Sequence, residues 1–386
     1  MIKADSSRSF VSLSQTTLVN TMKKSKNKKK YLLIILSALL LIAMLVPVAY
    51  VVRLLNKVTP DDGLDFKNED YTYSEEDDDV NPDAMYDITD ASSLNDLLYK
   101  WANNNGKKLA DKSVINVLLL GVDSASGTMS GARSDAIILA SVNKKTKKIT
   151  LISIMRDTYS YMNINGKDRY FKINAAYNWG GPATLVKTIE NNYKIEIDNF
   201  VAVDFATFPR LIDALGGIEV PVKEHEATYL NRSGHNIATG ASVKLNGKQA
   251  LAFSRIRYSD KDGDISRTRR HRIVITAIIN KTREASLDQI DGSVSFLLKN
   301  VRTDLSRTKL LTLSTQALIQ AWMNYEVEEL VVPSEASRRS AIINTHFVWV
   351  SDFPLEANSV QLALYQESNI IIDADRRSVF DLMVKK

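Results

Sequence analysis

The sequence contains no cysteine among its 386 residues. Disulfide bonds, thiolate zinc sites and cysteine nucleophiles are therefore excluded. No internal repeat is present, and the acidic run at 75–79 lacks the glycine and alternating ligands of an EF-hand calcium loop. No serine stands out as a nucleophile either, so any chemistry must rest on other oxygen- and nitrogen-bearing side chains.

Excess positive charge is confined to the N-terminus. The formal net charge is +5, but residues 1–30 hold eight Lys or Arg and one Asp, so this segment carries +7 and the remainder carries −2. The first 30 residues contain no helix-turn-helix pattern. The charge distribution therefore argues against a nucleic-acid-binding domain.

A long apolar run follows the basic tail. Residues 31–52 carry no charge, and a helix of that length spans about 33 Å, enough to cross the hydrocarbon core of a membrane. No small-x-small cleavage site follows it cleanly, which disfavours a cleaved signal peptide. We predict a transmembrane signal anchor at 31–52. The lysines before it place the basic tail, 1–30, in the cytoplasm and the rest of the chain outside.

Beyond the anchor, residues 53–112 are predicted to be an acidic extracytoplasmic linker that ends in a short amphipathic helix. Apolar content then persists to the end of the chain. Residues 113–386 are therefore predicted to form one domain with a C-terminal extension.

Three apolar runs of strand length open this domain, at 115–121, 136–142 and 149–155. The second and third are joined by a turn-like segment, which predicts an antiparallel hairpin. A hairpin brings the start of its first strand beside the end of its second. Arg133 and Asp135 are therefore expected near Arg156 and Asp157, with Asp123 joining them if the first strand is a neighbour. Such a cluster suits a hard cation and a phosphorylated ligand.

Strands and helices alternate after these runs. Helices are predicted at 183–192, 208–215, 267–283, 287–300, 305–321 and 357–367, and strands at 200–203, 218–222, 326–332 and 347–351. A polar stretch at 223–243 is predicted to be an exposed loop, and Arg255 and Arg257 to share one face of an extended segment. The alternation predicts an α/β fold, an α-β-α sandwich with a mixed central sheet.

Eight short blocks carry a family resemblance. They are GVD (121–123), RSD (133–135), SIMRDT (153–158), KINAAY (172–177), GG (180–181), DALGGIEV (213–220), LNGKQALAFSRIR (245–257) and DGDISRTRRHR (262–272). Together they resemble the LytR-CpsA-Psr family, over about residues 113–285. The resemblance implies a membrane-anchored extracytoplasmic phosphotransferase. Such enzymes attach an undecaprenyl-pyrophosphate-linked glycopolymer (teichoic acid, capsule or wall polysaccharide) to peptidoglycan through a phosphodiester.

The same resemblance implies site residues. A magnesium site, with Mn²⁺ as an alternative ion, falls on Asp123 and Asp135. The implied pyrophosphate-binding residues are Arg133, Arg156, Lys172, Arg255, Arg257, Arg267 and His271. Asp135, Arg156 and Asp264 form the implied catalytic group, and either aspartate can take the proton of the attacking hydroxyl. Bound arginine forks and a divalent cation would neutralise the charge that grows on the leaving phosphate.

Other interpretations remain open. Asp123 and Asp135 can cap turns, Arg255 and Arg257 can form surface ion pairs, Asp264 can begin a helix, and Lys172 can have a structural role instead of a ligand contact. At the level of function, a polyprenyl-pyrophosphate hydrolase and a non-catalytic regulator that binds wall glycan are the alternatives. The sequence also departs from the family at Ala125, Met155 and His271, and a histidine near phosphate would add pH dependence.

Overall fold

Two six-stranded sheets form the framework of the part of the chain that the structure describes. The computed structural model describes residues 85–104, 108–123, 132–257, 260, 263–284 and 301–386. The predicted basic tail, membrane anchor, the linker up to residue 84, Ala125 and the helix at 287–300 lie outside these residues. Among the described helices, none combines the length and the apolarity needed to span a bilayer.

The elements follow one another in mixed order. The strands are β1 (Tyr86–Ile88), β2 (Val114–Asp123), β3 (Arg133–Asn143), β4 (Lys148–Ile154), β5 (Thr158–Ile164), β6 (Lys167–Lys172), β7 (Asn199–Asp204), β8 (Ile218–Val222), β9 (Gly240–Leu245), β10 (Val301–Thr303), β11 (Glu326–Val332), β12 (Arg338–Ile343), β13 (His346–Ser351) and β14 (Met383–Lys385). The α-helices are α1 (Ala91–Asn103), α2 (Ala175–Tyr193), α3 (Thr207–Ala214), α4 (Glu224–Arg232), α5 (Gly247–Ser254), α6 (Asp264–Glu284), α7 (Arg307–Ile319) and α8 (Phe353–Tyr365). Short 3₁₀ helices lie at Trp322–Asn324, Glu335–Ser337 and Val379–Leu382.

The first sheet contains the three apolar runs and has the order β10-β7-β2-β3-β4-β11. Strands β2, β3 and β4 pair antiparallel in sequence order, with Asp123 opposite Arg133. The β3–β4 turn is closed by Asn143, whose Oδ1 accepts hydrogen bonds from the backbone N–H groups of Lys145 and Thr146. The predicted hairpin and the neighbouring position of the first strand are confirmed.

The second sheet has the order β14-β1-β12-β13-β5-β6. Both large sheets contain parallel and antiparallel pairs. The predicted mixed α/β class is confirmed, but the single central sheet is wrong. At Arg156 the chain leaves the first sheet, and β5 pairs with β6 and β13 instead of returning to β4. Met155, Arg156 and Asp157 thus form the connection from β4 to β5, one of the places where the chain passes from one sheet to the other.

Helices α1, α2 and α8 contribute to the core between these elements. Leu94 and Leu98 of α1 are buried together with Leu185 and Ile189 of α2 and Val360 of α8. Strand β1 pairs with β12 and β14. Residues 86–103, which lie inside the segment predicted as a linker, are therefore part of the folded domain.

Three local predictions are corrected. The stretch 223–243 contains helix α4 and strand β9, which pairs with β8. Helix α2 starts at Ala175, before the predicted 183, and is kinked where Gly181 adopts φ 73° before Pro182. Arg255 has helical dihedrals at the C-terminal end of α5, so Arg255 and Arg257 do not lie on an extended strand.

Candidate functional site

A charged pocket lies at the edge of the first sheet, where β2 ends and β3 begins. Its volume is about 260 Å³. We call it the charged pocket; its lining residues are Asp123, Arg133, Asp135, Phe205, Arg255, Arg257, Arg267 and His271. Four guanidiniums face two carboxylates here, so the pocket has an excess of positive charge that suits an anion.

Arg156 and Asp135 form the buried ion pair behind this pocket. Nη1 of Arg156 donates to Oδ1 of Asp135 at 2.7 Å. Burial alone would raise the pKa of Asp135, but the guanidiniums of Arg156, Arg267 and Arg257 outweigh it and hold that pKa well below its usual range. Asp135 is therefore ionised at every physiological pH.

Arg156 also contacts two further carboxylates. Its Nε lies 3.5 Å from Oδ2 of Asp157 and 3.7 Å from Oδ1 of Asp264. Burial lowers the pKa of the Arg156 guanidinium, but these three carboxylates together raise it well above its ordinary value. The side chain is thus fixed as a cation in one orientation, although it does not line the pocket.

Lys172 lies behind Arg156 and is separated from it by Asp157. Its side chain is 2% exposed, and its Nζ is 3.2 Å from Oδ1 of Asp157. Asp157 in turn reaches Arg156. The structure therefore places Lys172 behind the charged pocket and away from its lining, where it supports Arg156 through Asp157.

Helix α6 lies beside the charged pocket and contributes further charged residues to the site. Asp264 lies in its first turn and forms an ion pair with Arg267, which is one turn farther on. Burial lowers the pKa of Arg267, whereas the neighbouring Asp264 opposes that shift. Asp264 does not line the pocket but holds Arg156 and Arg267 side by side.

Arg255 closes the outer side of the pocket. Its Nη2 lies 3.2 Å from Oδ2 of Asp123, and both side chains are about half exposed, at 50% and 43%. The guanidinium also lies over the ring of Phe205, 5.0 Å from its centroid. Because this pair is accessible to solvent, its guanidinium can exchange Asp123 for a phosphate oxygen at low energetic cost.

An apolar channel of about 230 Å³ adjoins the charged pocket. The two cavities share the side chains of Phe205 and His271. The channel is otherwise lined almost entirely by apolar residues, namely Leu119, Leu120, Gly121, Ala136, Ile138, Val201, Val203, Phe208, Leu211, Leu251, Val274, Ile275 and Ile278, with Ser254 as the exception. A ligand with a charged head and a hydrocarbon tail matches this pair of cavities.

One face of α6 runs along both cavities. Arg267 and His271 line the charged pocket, and His271, Val274 and Ile278 line the channel. These positions are spaced by four, three and four residues, which places them on one side of a helix. Burial, aided by the charge of Arg267, lowers the pKa of His271 to about 3. The imidazole at the boundary is therefore neutral near pH 7.

Seven of the ten predicted site residues line one pocket, two contact its lining residues from behind, and one lies behind those. The exceptions are Arg156, Asp264 and Lys172. Sequence reasoning named neither Phe205 nor the individual residues that line the channel. The isoleucine and valine run of α6 was the available signal, but the same run is expected of an ordinary core helix.

The donor set of the charged pocket fits a divalent cation of the magnesium type. Asp123 and Asp135 both line it, and such ions are held by one or two carboxylates together with substrate phosphates and water. A second group, His225, Glu226 and Asp260, is the only described cluster of three or more such ligands. Arg270 forms ion pairs with Glu226 and Asp260, so both carboxylates of that cluster already have a buried guanidinium as partner.

Comparison with known proteins agrees with this geometry. The model of the LytR_cpsA_psr family matches residues 78–360. A curated relative, the polyisoprenyl-teichoic acid–peptidoglycan teichoic acid transferase TagU of Enterococcus faecalis, is 36% identical over 222 residues, which is 56% of this chain and 71% of the relative. Across three such TagU relatives, the match spans 63% to 71% of their own lengths.

Solved structures share the fold. A structure of TagT bound to LIIa-WTA is 27% identical with a TM-score of 0.54, covering 67% of this chain and 93% of that chain. A structure of the family protein YwtF (TagT) with bound octaprenyl pyrophosphate lipid is 25% identical with a TM-score of 0.50, covering 67% and 93%. The family match covers well over half of the sequence, and this chain therefore belongs to the LytR-CpsA-Psr family.

Proposed function

We propose that this chain is a phosphotransferase that moves a glycopolymer from a polyprenyl pyrophosphate to peptidoglycan. The observation that carries the proposal is the junction of the charged pocket with the apolar channel at Phe205 and His271. The names of the relatives support it, because they describe teichoic acid transfer to peptidoglycan and a bound octaprenyl pyrophosphate lipid. In the proposal, the diphosphate lies among the arginines and the isoprenoid tail lies in the channel.

The reaction exchanges a phosphoanhydride bond for a phosphoester bond. A peptidoglycan hydroxyl oxygen attacks the phosphorus that carries the glycan and forms a phosphodiester. The bond from that phosphorus to the bridging oxygen breaks, and polyprenyl phosphate leaves with the bonding electrons. Such transfers depend on positioning and charge stabilisation more than on covalent participation by the protein. Arg133, Arg255, Arg257 and Arg267 are placed to bind the phosphate oxygens as charge grows on the leaving group.

The proton of the attacking hydroxyl needs an acceptor. Asp135 is a weak one, because the guanidiniums of Arg156 and Arg267 hold its pKa far below its usual range. We therefore assign Asp135 to cation binding. Asp264 pairs with both Arg156 and Arg267 and does not line the charged pocket, so we assign it to holding these two guanidiniums in place. A bound divalent ion would neutralise the diphosphate, and Asp123 and Asp135 would hold it.

The metal assignment has a binding test. Titrating Mg²⁺ or Mn²⁺ into the full chain with polyprenyl pyrophosphate, by calorimetry, is expected to show uptake that Asp123→Asn weakens about tenfold or more. Binding of polyprenyl pyrophosphate, the lipid that carries the glycan donor, is expected to weaken when a chelator removes the ion. Equal uptake by wild type and Asp123→Asn would contradict this assignment.

The function is tested with purified full chain in detergent and a lipid-linked saccharide, with and without peptidoglycan. Transfer predicts saccharide bound to peptidoglycan, and released polyprenyl phosphate only when the acceptor is present. Free phosphorylated saccharide in both reactions identifies a hydrolase instead. Product formation by Asp135→Asn at the wild-type rate would show that this carboxylate takes no part.

The channel is tested separately. Ile278→Trp fills the channel and is expected to weaken binding of polyprenyl pyrophosphate about tenfold or more, because the tail loses its apolar contacts. Ile342→Trp, at a half-exposed position in the second sheet, is the matched control. The same affinity in both variants would place the tail elsewhere.

We further propose that residues 31–52 anchor the enzyme in the cell membrane with the charged pocket outside. A reporter fused to the C-terminus is expected to be active only when it requires an extracytoplasmic location.

A further inference from the structure

A second polar cavity lies at the other end of strand β2. Its volume is about 400 Å³, larger than that of the charged pocket. Val114, at the start of β2, lines this distal cavity, and Asp123, at the end of β2, lines the charged pocket. Nine residue steps of about 3.3 Å separate the two places by about 30 Å. The distal cavity is therefore not part of the site described above.

The charges around the distal cavity cancel. Three lysines and three carboxylates line it, in contrast to the four guanidiniums and two carboxylates of the charged pocket. Two of the three carboxylates already have partners. Asp111 pairs with Lys145, and Asp198 accepts a hydrogen bond from the backbone N–H of Asn116. The balance disfavours an anion as the ligand and favours a neutral polar molecule.

Two of the residues that line it each have a buried amide oxygen with no donor among the described residues. These oxygens are Oδ1 of Asn116 and Oε1 of Gln316. Asn116 is 2% exposed, and its Nδ2 donates to the carbonyl oxygen of Glu196 at 2.7 Å and to Oη of Tyr365 at 2.8 Å. Since a carbonyl oxygen can only accept, this contact fixes the orientation of the amide and leaves Oδ1 as an acceptor. A ligand with hydroxyl donors would satisfy both oxygens.

The remaining wall is apolar. Leu313 of α7 and Ile115 of β2 line the cavity beside Tyr365. Hydroxyl donors combined with apolar C–H faces are the chemistry of a saccharide. We propose that the distal cavity binds a sugar segment of a glycan chain, about 30 Å from the charged pocket. The choice of probes rests on the proposed function, since its two substrates both carry saccharides.

The test uses the full chain in detergent and two saccharide probes in calorimetry. One probe is peptidoglycan glycan freed of its stem peptides, and the other is wall glycopolymer released from its lipid. Saturable binding of the first identifies the acceptor strand as the source, and binding of the second alone identifies the donor polymer. Absence of saturable binding by both overturns the proposal.

Two variants test whether the saccharide binds in the distal cavity. Gln316→Leu removes one acceptor at similar size and is expected to weaken binding about fivefold, the effect of one hydrogen bond. Leu313→Trp fills the cavity and is expected to abolish binding. Gln320→Leu, just beyond the C-terminal end of α7, is the matched control and should bind as wild type does. Wild-type saccharide affinity in both Gln316→Leu and Leu313→Trp overturns the proposal.

A lipid-binding measurement separates this inference from the proposed function. Polyprenyl pyrophosphate should bind to Gln316→Leu and Leu313→Trp with wild-type affinity, because the charged pocket is unchanged. Thermal unfolding of each variant establishes that it folds. Loss of lipid binding in a folded Leu313→Trp variant would show that the two cavities are not independent and would overturn the separate saccharide site.

Discussion

Arg156 is the residue on which the site is centred. It is 5% exposed and lies within 4 Å of the carboxylates of Asp135, Asp157 and Asp264. Removing one partner of a buried ion pair leaves the other charge uncompensated, which is costly. Substitutions around Arg156 are therefore expected to change both stability and substrate binding, and the two effects must be measured separately.

Lys172 distinguishes a supporting role from ligand binding. Lys172→Met is expected to lower the free energy of unfolding by about 3–5 kcal/mol, because the buried Asp157 loses its lysine partner. In the folded fraction, donor affinity should change little while turnover falls, since Arg156 loses its support. Urea denaturation and calorimetry measure the two quantities.

Lys172→Arg keeps the charge and is expected to restore part of the stability. A Lys172→Met variant of unchanged stability whose donor affinity drops tenfold would instead identify Lys172 as a direct ligand of the diphosphate.

His271 provides the pH-dependent prediction. Its pKa is lowered to about 3 by burial, whereas an unfolded histidine titrates near 6.5. The unfolded state therefore binds more protons between these values, and this contribution to stability is complete above about pH 6.5 and declines as the pH falls towards 3. His271→Gln should show a shallower loss of stability over that range, measured by urea denaturation at a series of pH values.

The same lowered pKa leads to a prediction for the effect of His271 on binding. Donor affinity in wild type and in His271→Gln should follow the same profile between about pH 6 and 8, because the imidazole stays neutral there. A wild-type inflection near pH 6.5 that is absent from His271→Gln would contradict this prediction.

At the scale of elements, the kink in helix α2 depends on one glycine. Gly181 has φ 73° and ψ −173°, a backbone region that is open essentially only to glycine. Gly181→Ala is therefore expected to lower the free energy of unfolding by about 1–3 kcal/mol. Gly240→Ala is the control, since a Cβ there makes only an ordinary 3.4 Å contact with Val243. Equal stability of the two variants would show that the kink tolerates a side chain.

The hairpin of the first sheet could be predicted because local signals suffice for it. Two apolar runs and a polar turn determine β3 and β4, and the charged residues at their ends then follow from antiparallel geometry. Helix α4 and strand β9 could not be predicted in this way. The 223–243 segment looks polar, yet Glu226 is buried against Arg270, 44 residues away, and no local pattern reveals that partner.

The site residues also fall into those that local sequence signals predict and those that depend on distant parts of the chain. The strand ends alone brought Asp123, Arg133, Asp135 and Arg156 together, whereas the family resemblance was needed for Lys172, Arg255, Arg257, Asp264, Arg267 and His271. The apolar channel combines side chains from β2, β3, β7 and several helices. Each of those residues, taken alone, looks like an ordinary core residue, so the channel becomes visible only when the elements are assembled.

At the scale of the whole molecule, the charged pocket and the apolar channel should contribute independently to the affinity for one lipid. Arg255→Ala removes a guanidinium from the charged pocket, and Ile278→Trp fills the channel. If one ligand uses both, the two losses in binding free energy should add to within about 0.5 kcal/mol in the double variant. Calorimetry with polyprenyl pyrophosphate measures all three variants.

Ionic strength provides a control for this comparison of the single and double variants. Raising the ionic strength should weaken binding to wild type and Ile278→Trp, and should affect Arg255→Ala less. A double variant that binds no worse than either single variant would mean that head and tail do not bind as one ligand.

Helix α6 makes head and tail recognition inseparable in space. Arg267 and Ile278 are eleven residues apart on one rigid rod, a separation of about 17 Å. In the proposed complex, this distance sets how deep an isoprenoid must enter the channel before its phosphates reach the arginines. A lipid with a polar group close to its diphosphate is then expected to place that group against the apolar side chain of Val274 and to bind more weakly.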